Sequence, residues 1–197
     1  MFSPPKSDII SIIIHVNNKQ NNLEITSLIL SHLFEKILKI WYNIDKKKGG
    51  YYMNKTVDLL NQYLSDLAVM NTKLHNLHWN VTGKAFKQVH VYLEELYDDV
   101  FEKYDEVAER IKMLQGYPKA SIKDYLETSK IKELASKDIS TEDAFKSVSY
   151  DYGYLKELAM EVRIIADSED DFVTVAILED HVAFYDKVLY FVRQTLK

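Results

Sequence analysis

LHNLHWNVTGKAFKQVHVYLEELYDDVFEKYDEVAERIKMLQGYP, residues Leu74–Pro118, is the stretch that decides the fold. From Phe86 to Leu114 it holds neither Gly nor Pro. Phe86, Val89, Leu93, Leu96, Val100, Tyr104, Val107, Ile111 and Leu114 recur at intervals of three and four, the period of one long helix. His90 and Glu94 stand four apart on it, as do Asp105 and Glu109, so each pair projects from adjacent turns and can pinch one cation. The two pairs cannot share an ion within one chain. His90 and Asp105 are separated by roughly 22 Å of helical rise, whereas metal–ligand bonds are about 2.0–2.6 Å. Yet the steps from Glu94 to Asp105, at about 100° each, return to within roughly 20° of the same face. A two-fold axis crossing the helix would bring the His90/Glu94 end of one copy to the Asp105/Glu109 end of another. The result is two equivalent mixed sites in an antiparallel, isologous dimer.

His78 joins the first half-site through chain reversal. Val57 to Leu77 carries Leu60, Tyr63, Leu64, Leu67, Met70, Leu74 and Leu77 at helical spacing, behind a plausible cap at Thr56. This helix ends near Val81-Thr82-Gly83, and a short connection makes the next helix run antiparallel to it, so His78 can face His90 and Glu94. Two imidazoles and three carboxylates, with room for water or oxidant, suit Fe(II) better than a closed structural zinc site; zinc and manganese remain open. Taken singly, carboxylates four apart are more often a solvated helix face, and a His at a helix end is more often a cap. Five ligand types on one surface, with a gap that a dimer axis closes, favour the metal site.

The remaining pattern completes an all-α four-helix bundle. Ser121 to Leu126 forms a short extra helix between the second and third. Ser140-Thr141-Glu142-Asp143 starts the third, with acids where the helix dipole favours them. Its buried stripe is Phe145, Val148, Tyr152, Leu155, Leu158, Ala159, Val162 and Ile165, with Gly153 a mild cost. Asp167 to Asp171 punctuates, and Phe172 to Leu196 makes the fourth helix around Val175, Leu178, Val182, Tyr185, Val188 and Val192. No strand-like alternation competes. Asp167, Glu169, Asp170 and Asp171 either line a cation entry pore on a symmetry axis or form a solvated turn, the latter being the commoner role for such a cluster. His181 reads as structural, and His75 as a second-shell or surface residue.

With no Cys, disulfides, thiolate metal sites and cysteine nucleophiles are excluded, which fits a cytoplasmic protein. The net charge of −5 is unevenly spread: residues 1–52 hold 7 basic and 4 acidic side chains, and the rest hold 18 and 26. An acidic body attracts cations and repels phosphate backbones. Within 1–52, the apolar run Ile9–Val16 is far below the roughly 20 residues of a membrane span, and no secretory cleavage site follows it. Leu23 to Ile44 is amphipathic and could lie on a membrane or on the bundle; His15 and His32 also fall in this leader. Lys48-Gly49-Gly50-Tyr51-Tyr52 can be encoded with AGGAGG, a ribosome-binding sequence, just before the ATG of Met53. The expected organisation is therefore a leader of 1–52, read as translated upstream sequence, and one domain of 53–197.

Leu74–Pro118 resembles the signature of the Dps family, the miniferritins, and SIKDYLETSKIKE (Ser121–Glu133) with the two last helices extends the likeness across Met53–Lys197. In that family His-Trp, a later His with an acid four on, and Asp-x-x-x-Glu ending in Ala-Glu-Arg mark a ferroxidase centre between subunits. The resemblance implies His78, His90 and Glu94 from one subunit and Asp105 and Glu109 from its mate, holding a shared two-iron site. Glu94 stands where many members have Asp. It implies oxidation of Fe(II), by hydrogen peroxide in preference to dioxygen, and mineral storage in a hollow dodecamer of two-fold dimers. Neutral imidazoles would make binding weaken in acid. Trp79 would serve as a quencher of stray oxidising equivalents or as a packed aromatic; Tyr97 and Tyr104 read as core. Family members that bind DNA commonly use a Lys-rich arm, which a chain starting at Met53 would lack, so DNA binding is not expected from that start, and no membrane partner is. Two alternatives stand beside this. A classical ferritin would keep its site inside one bundle with Glu-x-x-His motifs, but no His here has Glu three positions before it. A nonenzymatic DNA-compacting or helical scaffold of the same fold would leave the ligand set idle.

Overall fold

The structure, a computed structural model, describes the backbone of residues 23–197 and the side chains of 33–37 and 55–197. Ile9–Val16, His15, His32 and the proposed start at Met53 lie outside the residues whose side chains are described. Contacts divide the chain into Met1–Lys48 and Gly49–Lys197, and the candidate site lies wholly in the second unit. The elements are α1 (Leu23–Asn80), β1 (Val81–Thr82), α2 (Phe86–Met113), α3 (Ile122–Thr128), β2 (Ile139–Ser140), α4 (Thr141–Ser168) and α5 (Phe172–Thr195). This is the all-α four-helix bundle that the periodicity predicts, with α3 as the short extra helix. No helix among the described residues is long and apolar enough to cross a membrane.

The core forms where the apolar stripes of α1, α2, α4 and α5 face one another. Leu60, Tyr63, Leu64, Leu67, Met70, Leu74 and Leu77 of α1 are all essentially inaccessible. Against them pack Val89, Leu93, Leu96, Val100, Val107 and Ile111 of α2. Three expectations need correction. Thr56 is not a helix cap: it lies inside α1, buried, and its hydroxyl donates to Glu169 Oε2 at 2.7 Å. Phe86 is exposed, because as the first residue of α2 it lies beyond the neighbouring helices' reach and its ring leans on His90 at 5.1 Å between centroids. A parallel bridge also joins Val81 to Ile139 and Thr82 to Ser140, too short for alternation to betray it. It fastens the α1–α2 turn to the start of α4, where Ser140 caps the helix by accepting from the Asp143 N–H at 3.0 Å.

Buried polar groups fix the connections. Asp66, fully buried on α1, accepts at Oδ1 from Ser129 Oγ (2.8 Å) and the backbone N–H groups of Lys130 (2.7 Å) and Ile131 (3.2 Å). At Oδ2 it accepts from Gln62 Nε2 (2.9 Å) and Tyr154 Oη (2.7 Å). One carboxylate thus ties the segment after α3 to both α1 and α4. Nearby, Lys73 and Asp151 form an almost dry ion pair at 2.6 Å.

A second polar chain runs through the bundle. His181 Nε2 lies 3.0 Å from Glu106 Oε2, a carboxylate that can only accept, so Nε2 carries the hydrogen and Nδ1 is free to accept. Tyr63 Oη lies 3.0 Å from that Nδ1 and donates to it, while the Tyr185 hydroxyl donates to the Tyr63 oxygen. Burial, then the charge of Lys103, lowers the His181 pKa to about 3, so its contact with Glu106 is a hydrogen bond rather than an ion pair. An unfolded His titrates near 6.5. The stability associated with keeping His181 neutral is therefore present above that value and lost as pH falls from it toward the folded value, on the order of 5 kcal/mol in all. The denaturant midpoint of His181→Asn should accordingly converge on that of wild type between pH 7 and 4; a constant gap would contradict this.

Candidate metal centre

His78 occupies the last turn of α1 and His90 the first turns of α2. The turn between them brings them together, with Gly83 at φ 110° and Ala85 at φ 59°, both in the left-handed region. The rings stack with centroids 3.6 Å apart and planes at 23°. His78 Nδ1 meets the carbonyl oxygen of His90 at 2.8 Å, and His90 Nδ1 meets the carbonyl oxygen of His78 at 2.9 Å. A carbonyl can only accept, so both Nδ1 atoms carry the hydrogen and both Nε2 lone pairs are left for another partner. Metal-binding imidazoles are held in this way, with the second nitrogen donating to a fixed oxygen that sets tautomer and orientation.

Tyr97, one turn past Glu94, closes one side of the pair. Its ring stands edge-on to His78 (5.3 Å between centroids) and stacks on His75 (3.9 Å). Desolvation and then the Glu94 carboxylate, one turn before it on α2, raise its pKa. His75 Nδ1 donates to the Asn71 carbonyl at 2.8 Å, and Trp79 meets the His75 ring edge-on at 5.5 Å while 70% exposed. Tyr97 is partly buried against the core, as its position on the helix predicts, and it also shares the histidine face, seven residues after His90.

Asp105 and Glu109 are exposed, and among the described residues neither forms a hydrogen bond or ion pair within the protomer. Among the described residues no three His, Asp or Glu side chains of one protomer gather closely enough to hold an ion. One protomer therefore brings together His78 and His90 but gathers neither Glu94 nor Asp105 and Glu109 with them into a cation-holding group.

The acidic cluster between α4 and α5 has internal work. The N–H of Asp171 bonds the Ala166 carbonyl (3.0 Å) and that of Asp170 the Asp167 carbonyl (3.2 Å), with Asp170 left-handed at φ 58°, which is a Schellman end to α4. Asp171 also caps α5 by accepting from the Thr174 N–H at 3.1 Å and pairs with Arg110 of α2. Glu169 takes the Thr56 hydroxyl, and Asp167 faces Arg163 at 3.4 Å.

The ferritin-like domain family matches residues 57–197. Antigen TpF1 of Treponema pallidum is 38% identical over 138 residues, 70% of this chain and 78% of that protein. The DNA protection during starvation protein of Helicobacter pylori is 32% identical over 136 residues, 69% of this chain and 94% of that protein. A crystal structure of a Dps protein from Vibrio cholerae O1, described as a member of a broad superfamily of ferritin-like diiron-carboxylate proteins, superposes with a TM-score of 0.72 at 28% identity. The superposition covers 75% of this chain and 92% of that one.

Proposed function

Because this chain belongs to the Dps family of ferritin-like proteins, we propose that it stores and detoxifies iron in the cytoplasm. In this reading it oxidises Fe(II), its substrate, with hydrogen peroxide or dioxygen at a site shared between two subunits, and keeps the ferric product in a hollow dodecamer. The observation that carries the reading is the His78/His90 pair, whose Nδ1 hydrogens are both spent on backbone oxygens so that two Nε2 donors are free. Those donors and the Glu94 carboxylate would bind Fe(II), and Asp105 and Glu109 of the partner subunit would complete the set. Mixed imidazole and carboxylate donors fit iron, and the three carboxylates favour the higher charge of Fe(III). Trp79, exposed and edge-on to His75, would take up stray oxidising equivalents, and the acids Asp167, Glu169, Asp170 and Asp171 would add negative potential where cations enter.

The surface supports pairing. The midpoint between the half-sites falls between Asp99 and Val100, and beside it Phe101 is 61% exposed. Phe101 lines an apolar groove of about 320 Å³ with Ile122 and Leu126, themselves exposed, and such a patch is what a two-fold contact would cover. A scaffold that merely compacts DNA is the weaker reading, since the chain after residue 52 is strongly acidic and repels phosphate; protection of DNA would come from removing iron and peroxide together.

The test is anaerobic Fe(II) loading followed by peroxide, with the assembly mass measured in parallel. Wild type should consume two Fe(II) per peroxide and run as a closed oligomer, whereas Phe101→Asp should lose both assembly and fast oxidation. Slow oxidation at the protein-free rate by an intact oligomer would refute the enzyme reading.

A further inference from the structure

We propose that Tyr63, held between Tyr185 and His181 inside the bundle, is a proton-coupled one-electron donor that absorbs oxidising equivalents when iron and peroxide react one electron at a time. This rests on the proposed iron oxidation for its source of oxidant, but not for the chemistry of the tyrosine itself.

A phenol gives up an electron readily only if its proton can leave, because the oxidised phenol is a very strong acid. Tyr63 cannot ionise beforehand: desolvation, opposed only in part by the bond from Tyr185, drives its pKa far up. Electron and proton must therefore depart together, and the proton needs a base already in contact. His181 Nδ1 is that base, 3.0 Å from the phenolic oxygen. Its lone pair faces Tyr63 because Glu106 holds the hydrogen on Nε2, and the same carboxylate, 3.0 Å away, would stabilise the imidazolium once formed. Even a histidine that is weakly basic in this setting is a far stronger base than an oxidised phenol. Tyr185 donates to the Tyr63 oxygen and would go on doing so to the phenoxyl radical.

Tyr152 shows the contrast. Its ring meets Tyr185 edge-on at 5.3 Å, equally buried, but among the described residues its hydroxyl has no hydrogen-bond partner. It has no base in contact to take its proton, so an electron vacancy passing among these rings comes to rest on Tyr63. Beyond His181, Glu106 is half-exposed and follows Asp105 in the chain, so the run of groups reaches from the core to the helix that bears the second half-site.

The electrons and protons balance. Fe(II) meeting peroxide singly gives Fe(III), hydroxide and hydroxyl radical. The radical accepts one electron relayed from Tyr63 and becomes hydroxide, while the phenolic O–H bond breaks and its proton moves to His181 Nδ1. A second Fe(II) then supplies an electron to the phenoxyl radical and the proton returns from His181. The sum is two Fe(II) oxidised and one peroxide converted to two hydroxides, with no radical released.

The test separates this from the iron reading by starting without iron. Metal-free oligomer is oxidised with flash-generated ruthenium(III) tris-bipyridine and frozen for electron paramagnetic resonance. Wild type should give a neutral tyrosyl radical, identified by the change in its hyperfine pattern when the tyrosine rings are deuterated. Tyr63→Phe should lose this signal, whereas Tyr152→Phe and the surface variant Tyr150→Phe should retain it. Tyr185→Phe, which keeps the Tyr63–His181 bond, should retain it too and guards against a folding defect as the cause. An undiminished signal in Tyr63→Phe, or none in wild type, overturns the proposal. With Fe(II) and peroxide, spin-trapped hydroxyl radical should rise in Tyr63→Phe, and an unchanged yield there would equally overturn it. If the light-driven radical forms on Tyr63 but no variant or wild type oxidises iron, only the iron reading fails.

Discussion

Subunits carrying His78→Ala and subunits carrying Asp105→Ala, each more than about a hundredfold slower than wild type on their own, should regain about a quarter of wild-type Fe(II) oxidation when co-expressed. Each variant alone would spoil both sites of the proposed two-fold dimer, because each site would draw His78 from one subunit and Asp105 from the other. A mixed dimer is different. One of its sites collects both defects, but the other collects His78 from the Asp105→Ala subunit and Asp105 from the His78→Ala subunit and is complete. Random pairing makes about half the dimers mixed, each with one of two sites intact, hence the quarter. No rescue at all, in oligomers shown by mass to contain both variants, would place all the ligands within single subunits.

Asp66→Ala should cost about 3–5 kcal/mol of stability, the largest expected from a single substitution away from the metal site. The carboxylate takes five hydrogen bonds from Gln62, Ser129, Lys130, Ile131 and Tyr154. Gln62 and Ser129 have other acceptors in the Thr128 and Ile131 carbonyls. Among the described residues the Lys130 N–H and the Tyr154 hydroxyl have none, and leaving such part-buried donors empty costs about 1–3 kcal/mol each. Asp66→Asn, which keeps one acceptor oxygen but turns the other into a donor facing Tyr154, should recover only part. Urea unfolding reads the total, and hydrogen exchange should show the segment after α3 opening first. A loss below about 1 kcal/mol would mean that water replaces the carboxylate.

The helices were legible because burial of one face imposes a period that no turn residue interrupts between Phe86 and Met113. The ends were less so. Thr56 has the chemistry of a cap, yet its hydroxyl is used by Glu169, a partner 113 residues away that local pattern cannot reveal. Ser140 and Asp171 cap as their types suggest, since their partners lie only three residues on. The two histidines were placed together by counting turns. Their mutual bonds were not foreseeable, because these involve backbone carbonyls, which every residue has. Asp66 and the Tyr63–His181 chain were invisible for a related reason: an acid or histidine on a buried stripe looks like an interruption until its donors, far along the chain, are folded around it.

The reciprocal bonding of His78 and His90 means that, at the proposed centre, the mould would be cast before any ion arrives. Each ring grips the other residue's main chain, so neither can swing to suit a particular guest, and loosening one would slacken its twin. Such a pocket would recognise metals by whether they fit rather than by closing on them. It would also leave a newborn, unpaired subunit harmless, with a finished half and no second half to work against.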